Sequence, residues 1–265
     1  MKKIFFVFIL LLIASILTFL SVIAYRYYAK PELWTAYKTA QHDDDTLRIA
    51  YIGDSWAYMH EKHQCKIPLI EDIQAYNPTI VYSYGLGGRT SKEIYEALFN
   101  DKSLRKLLQE QGCNYCFISV GINDINKKMS IQYYQDSMDY IIDFLLSNNI
   151  HPIILEIPDF DVLKAYRGLR FISKQLRKLS MSINNVPMDC KQMYRDALDS
   201  LIVKKNYHDK VSIIRYKSWN NNYSNDQKTL YLKDGIHLNE YGYHVLDTII
   251  VQTIISNMNN YENRY

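Results

Sequence analysis

The chain has no basic block. Its 31 Lys and Arg are interspersed with 28 Asp and Glu, leaving a net charge of +3. Nucleic acid, which needs cations clustered along a phosphate track, is not an indicated partner. No segment repeats at the period of a solenoid or propeller, and none is of low complexity. Cysteine is confined to Cys65, Cys113, Cys116 and Cys190. The single C-x-x-C, "CNYC" at 113–116, leads into a strand-like run rather than opening a helix, and no second pair has metal-ligand spacing. A thioredoxin-type redox pair and a zinc site are therefore set aside. The four cysteines read as structural, a disulfide among them being compatible with an oxidising compartment.

What is present begins with "IFFVFILLLIASILTFLSVIA", an uncharged run of 21 residues at 4–24. At about 1.5 Å per residue a helix of this length crosses a bilayer core. Lys2 and Lys3 precede it on a cytoplasmic start, and Arg26 and Lys30 follow it. The expected reading is an uncleaved single-pass anchor. A cleaved signal segment is the alternative, because Val22 and Ala24 supply a small-residue cleavage pattern. In either case the remainder is expected outside the cytoplasm. Residues 1–30 are thus the anchor or signal segment, 31–46 an aperiodic tether, and 47–265 one domain, a length suited to a single well-buried α/β core. The 24 tyrosines fit a core and fit stacking on sugar rings, and composition does not separate the two.

Short apolar runs at 47–53, 79–85, 115–121, 151–158 and 210–216 are rich in β-branched and aromatic residues and bounded by Gly, Pro or polar residues. They suit buried parallel strands. Amphipathic stretches at 61–76, 91–111, 131–148, 160–206 (two pieces, broken near "NNVPMD") and 240–258 suit helices, and 217–233 reads as a surface loop. The alternation implies a doubly wound α/β sheet of about five parallel strands, flavodoxin-like in three layers, behind an N-terminal hydrophobic helix. In such sheets ligands bind beyond the carboxyl ends of the strands. Three strands end in glycine there, followed by Asp54-Ser55, "LGGRTS" and "INDI".

A serine hydroxyl needs a base. "DGIH" at 234–237 sets Asp234 three residues before His237, so a carboxylate can orient an imidazole within one loop. Backbone amides at Ser55 and in the glycine turn, together with the Asn123 side chain, can hold the oxyanion of an attacked carbonyl. Asp54, Trp56, Arg89 and Glu156 are candidate substrate contacts, Trp56 at the rim. His60 and His63, three residues apart near Cys65, read as solvated helix residues rather than metal ligands, and no metal or other cofactor is required by the chemistry. A G-x-S-x-G elbow is absent around Ser55.

The blocks "GDS" (53–55), "GGRTS" (87–91), "GIND" (121–124) and "DGIH" (234–237) occur in the order found in the SGNH/GDSL hydrolase superfamily, which residues 47–258 resemble. The resemblance implies Ser55 as nucleophile, Asp234 and His237 as its partners, and Ser55, Gly88 and Asn123 as the oxyanion hole, with Gly85 and Gly87 close to Gly88. Trp56 stands where leucine is common. The implied activity is an exported serine esterase, with O-acetylated carbohydrate as the leading substrate. An O-acyltransferase using the same triad, a lipase or thioesterase, and a non-catalytic carbohydrate-binding module are the alternatives.

Overall fold

A computed structural model of the chain describes residues 2–63, 65, 71, 73 and 78–262. Five strands form one parallel sheet: β1 (Leu47–Gly53), β2 (Thr79–Gly85), β3 (Tyr115–Ser119), β4 (His151–Leu155) and β5 (Ser212–Ile214), in the order β2-β1-β3-β4-β5. β1 and β3 are covered on both faces, which is why their sequences read as unbroken apolar runs. The order reverses between β1 and β3, so the loops leaving these two strands diverge and open a crevice. β1 pairs with both neighbours in a register that brings Gly53 beside Gly85 on one side and beside Ser119 on the other.

Helices among the described residues include α1 (Lys2–Tyr28), α2 (Ser55–Lys62), α3 (Ser91–Asn100), α4 (Lys102–Gln111), α5 (Ile122–Lys127), α6 (Ile131–Ser147), α7 (Val162–Arg167), α8 (Phe171–Asn184), α9 (Lys191–Lys205), α10 (Tyr223–Thr229) and α11 (Glu240–Glu262). α3, α6 and α9 pack side by side on one face of the sheet. α2 and α11 meet on the other, over Tyr51. Gly85 permits the close approach of α2 to β2, since a Cβ there would lie 1.9 Å from the Tyr58 nitrogen.

Several boundaries differ from the sequence expectation. The helix expected at 91–111 is two helices, because the Asp101 carboxylate accepts from the Ser103 and Leu104 amides and starts α4 afresh. The stretch 160–206 holds three helices, with an additional break at Gly168–Arg170. The loop at 217–233 contains α10. The helix expected at 61–76 falls mostly outside the described residues beyond the end of α2.

His60 is not solvated. It is fully buried, stacks on Tyr51, and directs Nε2 between both carboxylate oxygens of Asp247 on α11, at 3.1 and 3.0 Å. The partner lies 187 residues away, beyond the reach of any local pattern. All four cysteines are buried and none is in a disulfide. Burial pushes the Cys113 thiol up to about 12, which suits a packing role. Among the described residues no group of three or more His, Cys, Asp or Glu is placed to hold a metal.

Between Lys3 and Tyr25 no residue of α1 is buried, and these 23 residues are long and apolar enough to span a membrane or to serve as a signal sequence. The segment that follows carries no regular structure, yet it lies against the domain. Trp34 stacks on Phe99, the Tyr37 hydroxyl donates to the Leu98 carbonyl at 2.7 Å, and the Thr39 amide donates to Asn148 Oδ1 at 3.0 Å.

Candidate active site

β1 ends at Gly53 and the chain turns at once into α2, whose N-cap is Asp54 and whose first residue is Ser55. Asp54 Oδ1 accepts the Trp56 amide at 3.0 Å, the usual satisfaction of an orphan N–H at a helix start. This turn presents the Ser55 hydroxyl at the carboxyl edge of the sheet. His237 Nε2 lies 2.8 Å from Ser55 Oγ although the two residues are 182 apart in sequence.

The loop bearing His237 organises itself. Tyr231 and Leu238 form an antiparallel bridge, and the Leu232 amide donates to the His237 carbonyl at 2.7 Å. Within the loop, Asp234 Oδ1 accepts the Ile236 and His237 amides at 2.8 and 3.0 Å, while Oδ2 lies 2.7 Å from His237 Nδ1. Partial burial works to raise the Asp234 carboxyl, but the hydrogen bonds from His237 and the two amides outweigh it, and the group is held below its ordinary range. An ionised Asp234 can only accept, so Nδ1 carries the proton of the neutral imidazole. Nε2 is left as the acceptor facing Ser55.

β3 delivers the second half of the site. Gly121 caps α5, and Asn123 in its first turn donates Nδ2 to Asp54 Oδ2 at 3.0 Å. Asp54 thereby accepts one bond on each oxygen and fixes which way the Asn123 amide points. Its burial is complete, and desolvation raises its carboxyl to about 6 against the bonds from Trp56 and Asn123. Asp124 is equally buried and is pushed up to about 7 by desolvation; it accepts the Ser91 amide at 2.8 Å and the Ser91 hydroxyl at 2.7 Å. These bonds tie α5 to the start of α3 just after the glycine turn. Lys127 completes the tie by donating to the Gly88 carbonyl at 2.8 Å and to Glu93 Oε2 at 2.9 Å. Gly88 has φ +74, the left-handed region that glycine enters without strain.

These elements enclose a cavity of about 300 Å³. Ser55, Gly88, Asn123 and His237 line it, with Asp234 behind His237. Ile122, Ala165, Leu169 and Ile236 make its apolar wall, and Asn126 and Arg177 add polar groups.

The four candidate substrate contacts fall elsewhere. Trp56 is fully buried, edge-on to Trp219 and Tyr231, and belongs to the core rather than the rim. Arg89 turns away to pair with Glu93 at 3.1 Å and borders a separate groove beside α3. Glu156 is buried and bound by Arg215 at 2.8 Å and by the Tyr216 amide at 2.9 Å, which makes it a brace between β4 and the chain after β5. Asp54 lies beneath Asn123 and outside the cavity lining. Sequence reasoning did not single out Asp124, Asn126, Lys127 or Arg177. Asp124 stood within the quoted "GIND", but its partner Ser91 is 33 residues away, and Arg177 lies in a stretch with no motif.

No family model matches the sequence, and no curated protein matches it. Solved structures do. A lipase/acylhydrolase from Enterococcus faecalis aligns at 17% identity and TM-score 0.56 over 78% of this chain and 95% of its own. A GDSL-like lipase from Bacteroides thetaiotaomicron aligns at 14% identity and TM-score 0.50 over 79% and 88%. An acetyl-xylooligosaccharide esterase from Geobacillus Stearmophilus, solved as a mutant, aligns at 12% identity and TM-score 0.52 over 82% and 95%. At these identities the likeness is one of fold, and the fold is that of the SGNH/GDSL hydrolases.

Proposed function

We propose that this chain of SGNH/GDSL fold is a serine esterase that removes short acyl groups, acetyl foremost, from carbohydrate on the outer side of a membrane. The observation that carries the reading is the chain of contacts from Ser55 Oγ to His237 Nε2 at 2.8 Å and from His237 Nδ1 to Asp234 at 2.7 Å, opening into a cavity lined by Gly88 and Asn123. Each group has a task. His237 Nε2 takes the proton as Ser55 Oγ bonds to the ester carbonyl carbon. The resulting oxyanion accepts from the Ser55 and Gly88 amides and from Asn123 Nδ2, donors already oriented before charge develops. When the tetrahedral adduct collapses, the proton on His237 passes to the departing alcohol. Water, deprotonated by the same nitrogen, then attacks the acyl-serine, and as the bond to Ser55 Oγ breaks the proton returns from His237 to Oγ and the acid is released. Asp234 remains ionised throughout and stabilises the imidazolium.

The size and lining of the cavity favour a small acyl group. Its apolar wall suits an acetyl methyl, while Asn126 and Arg177 suit hydroxyl or acidic groups on the alcohol side. Resemblance in fold to an acetyl-xylooligosaccharide esterase points the same way. The test is acetate release from acetylated polysaccharides and hydrolysis of a chromogenic acetyl ester by the full chain and by Ser55→Ala. Turnover that falls on the order of 10⁶-fold in Ser55→Ala is expected. Absence of turnover by the folded wild type, with acyl transfer to a sugar appearing only when an activated donor is supplied, would replace the hydrolase by an O-acyltransferase.

A further inference from the structure

The α7–α8 excursion overhangs the cavity and contributes Ala165, Leu169 and Arg177 to it. Its outer surface is unusual for a helix of a globular domain. Within α8 only Ser180 is buried, while Phe171 and Ile172 are 75% and 71% exposed and Leu179 and Ile183 are exposed beside them. The apolar stripe therefore points away from the core. Residues 162–188 also contain six Lys and Arg and no Asp or Glu, and Arg167, Arg170 and Lys178 are exposed. Apolar side chains flanked by cations are what an interfacial helix presents to anionic headgroups.

A second observation fixes the direction. Where α1 ends, Lys92 in the first turn of α3 donates to the Ala29 carbonyl at 3.1 Å and lies over the Tyr25 ring, and Lys30 pairs with Asp136 on α6 at 3.7 Å. α3 and α6 both begin at the carboxyl edge of the sheet, the edge that bears Ser55 and His237. α8 reaches that edge as well, since Asn184 donates to the Lys128 carbonyl at 2.7 Å just before α6. α1 and α8 thus leave the domain on the same side.

We infer that the α7–α8 excursion docks on the anionic lipid surface of the bilayer that α1 enters, seating the catalytic edge against that surface, so that esters held at the membrane reach the cavity first. The seating of the catalytic edge rests on the reading of α1 as a membrane span, while the docking of α7–α8 on anionic lipid rests on its own exposed apolar and basic residues. Charge complementarity selects anionic lipid as the occupant, because a zwitterionic surface has no net negative potential and each basic residue near an anionic surface is worth about fivefold in binding.

The experiment is hydrogen exchange on the full chain reconstituted into vesicles of phosphatidylcholine alone and of phosphatidylcholine with phosphatidylglycerol. Amides of α8 are expected to exchange about fivefold or more slowly in the anionic vesicles. That protection is expected to vanish in Arg170→Glu/Lys174→Glu/Lys178→Glu and to weaken in Phe171→Ser/Ile172→Ser, while the strands stay protected in both. Equal exchange of α8 in the two vesicle types overturns the inference. So does protection by a soluble acidic polysaccharide but not by vesicles, which would assign the surface to glycan. Carbonate washing of the same vesicles reads α1 separately. Loss of the chain on washing, with α8 still protected by anionic lipid before it, removes the span and leaves the docking surface standing.

Discussion

In the proposed mechanism the sign of the charge presented to the substrate oxygen is set by Asn123, whose amide bonds to Asp54. With Asp54 ionised, only the Nδ2 end of Asn123 can face it, and the amide is locked as a donor. Asp54→Asn keeps the helix cap but offers an N–H where a carboxylate oxygen stood, so the Asn123 amide turns over and its carbonyl takes the donor's place. The expected result is a fall in kcat on the order of 10²–10³-fold, measured with a soluble acetyl ester. Stability moves in the opposite direction. The Asp54 carboxyl has its folded value raised from 3.8 to about 6, so the folded chain binds the proton more tightly than the unfolded one. The stabilisation from this group is full below about pH 4 and is lost as pH rises through 6, a change of about 3 kcal/mol. Asp54→Asn is therefore expected to lose less Tm than wild type between pH 4 and pH 8. An unchanged kcat would show that Asn123 is not oriented by Asp54. Asn123 and Ser55 were singled out from sequence because each follows a glycine that closes an apolar run, and the structure brings both to one cavity. Asp54 and Trp56, expected to contact substrate, are fully buried instead, since the character of a side chain one residue from Ser55 does not reveal whether it points up to the cavity or down into the core.

At the scale of elements, α5 is the hub of the site. Its first turn supplies Asn123, its second residue pair ties to α3 through Asp124, and its last residue, Lys127, holds the glycine turn through the Gly88 carbonyl. Lys127→Met is expected to leave the chain folded while loosening that turn, lowering kcat by on the order of tenfold to a hundredfold with a smaller change in KM. Steady-state kinetics on the acetyl ester check this, and wild-type values would mean that the turn is rigid without the lysine. Local motifs exposed the self-contained parts of the architecture: the "DGIH" turn is built from bonds within four residues, and the strands from continuous apolar runs. Parts that depend on distant partners were hidden. The His60–Asp247 pairing that joins α2 to α11, and the Asp124–Ser91 tie, each link segments whose own sequences carry no trace of the other. The break at Asp101 was legible in principle, since an aspartate followed by a fresh amphipathic turn is a cap, but the apolar period runs across it.

For the whole molecule the governing feature is α1 and where it leaves the domain. Its length and unbroken apolar character were plain from the sequence; its exit beside the edge that bears Ser55 was not, because that depends on Lys92 and Asp136 meeting the chain at 25–30. If α1 is an uncleaved span, mass analysis of the membrane-extracted protein is expected to find the amino terminus before residue 4, and a terminus at Tyr25 would identify a cleaved signal segment instead. The segment at 31–46 shows the same division. Its lack of periodicity suggested a tether, while its contacts through Trp34, Tyr37 and Thr39 hold it along the domain and limit how far the catalytic edge can stand from the point where α1 ends.

The central claim is that Ser55 is a nucleophile activated by His237 and Asp234, and covalent labelling reads it without knowledge of the natural substrate. Full-length protein treated with a fluorophosphonate and mapped by peptide mass spectrometry is expected to carry one adduct, on Ser55, with labelling slowed on the order of 10³-fold or more in His237→Ala. A folded wild-type chain that stays unlabelled, or that is labelled at another residue while Ser55 remains free, would contradict the account.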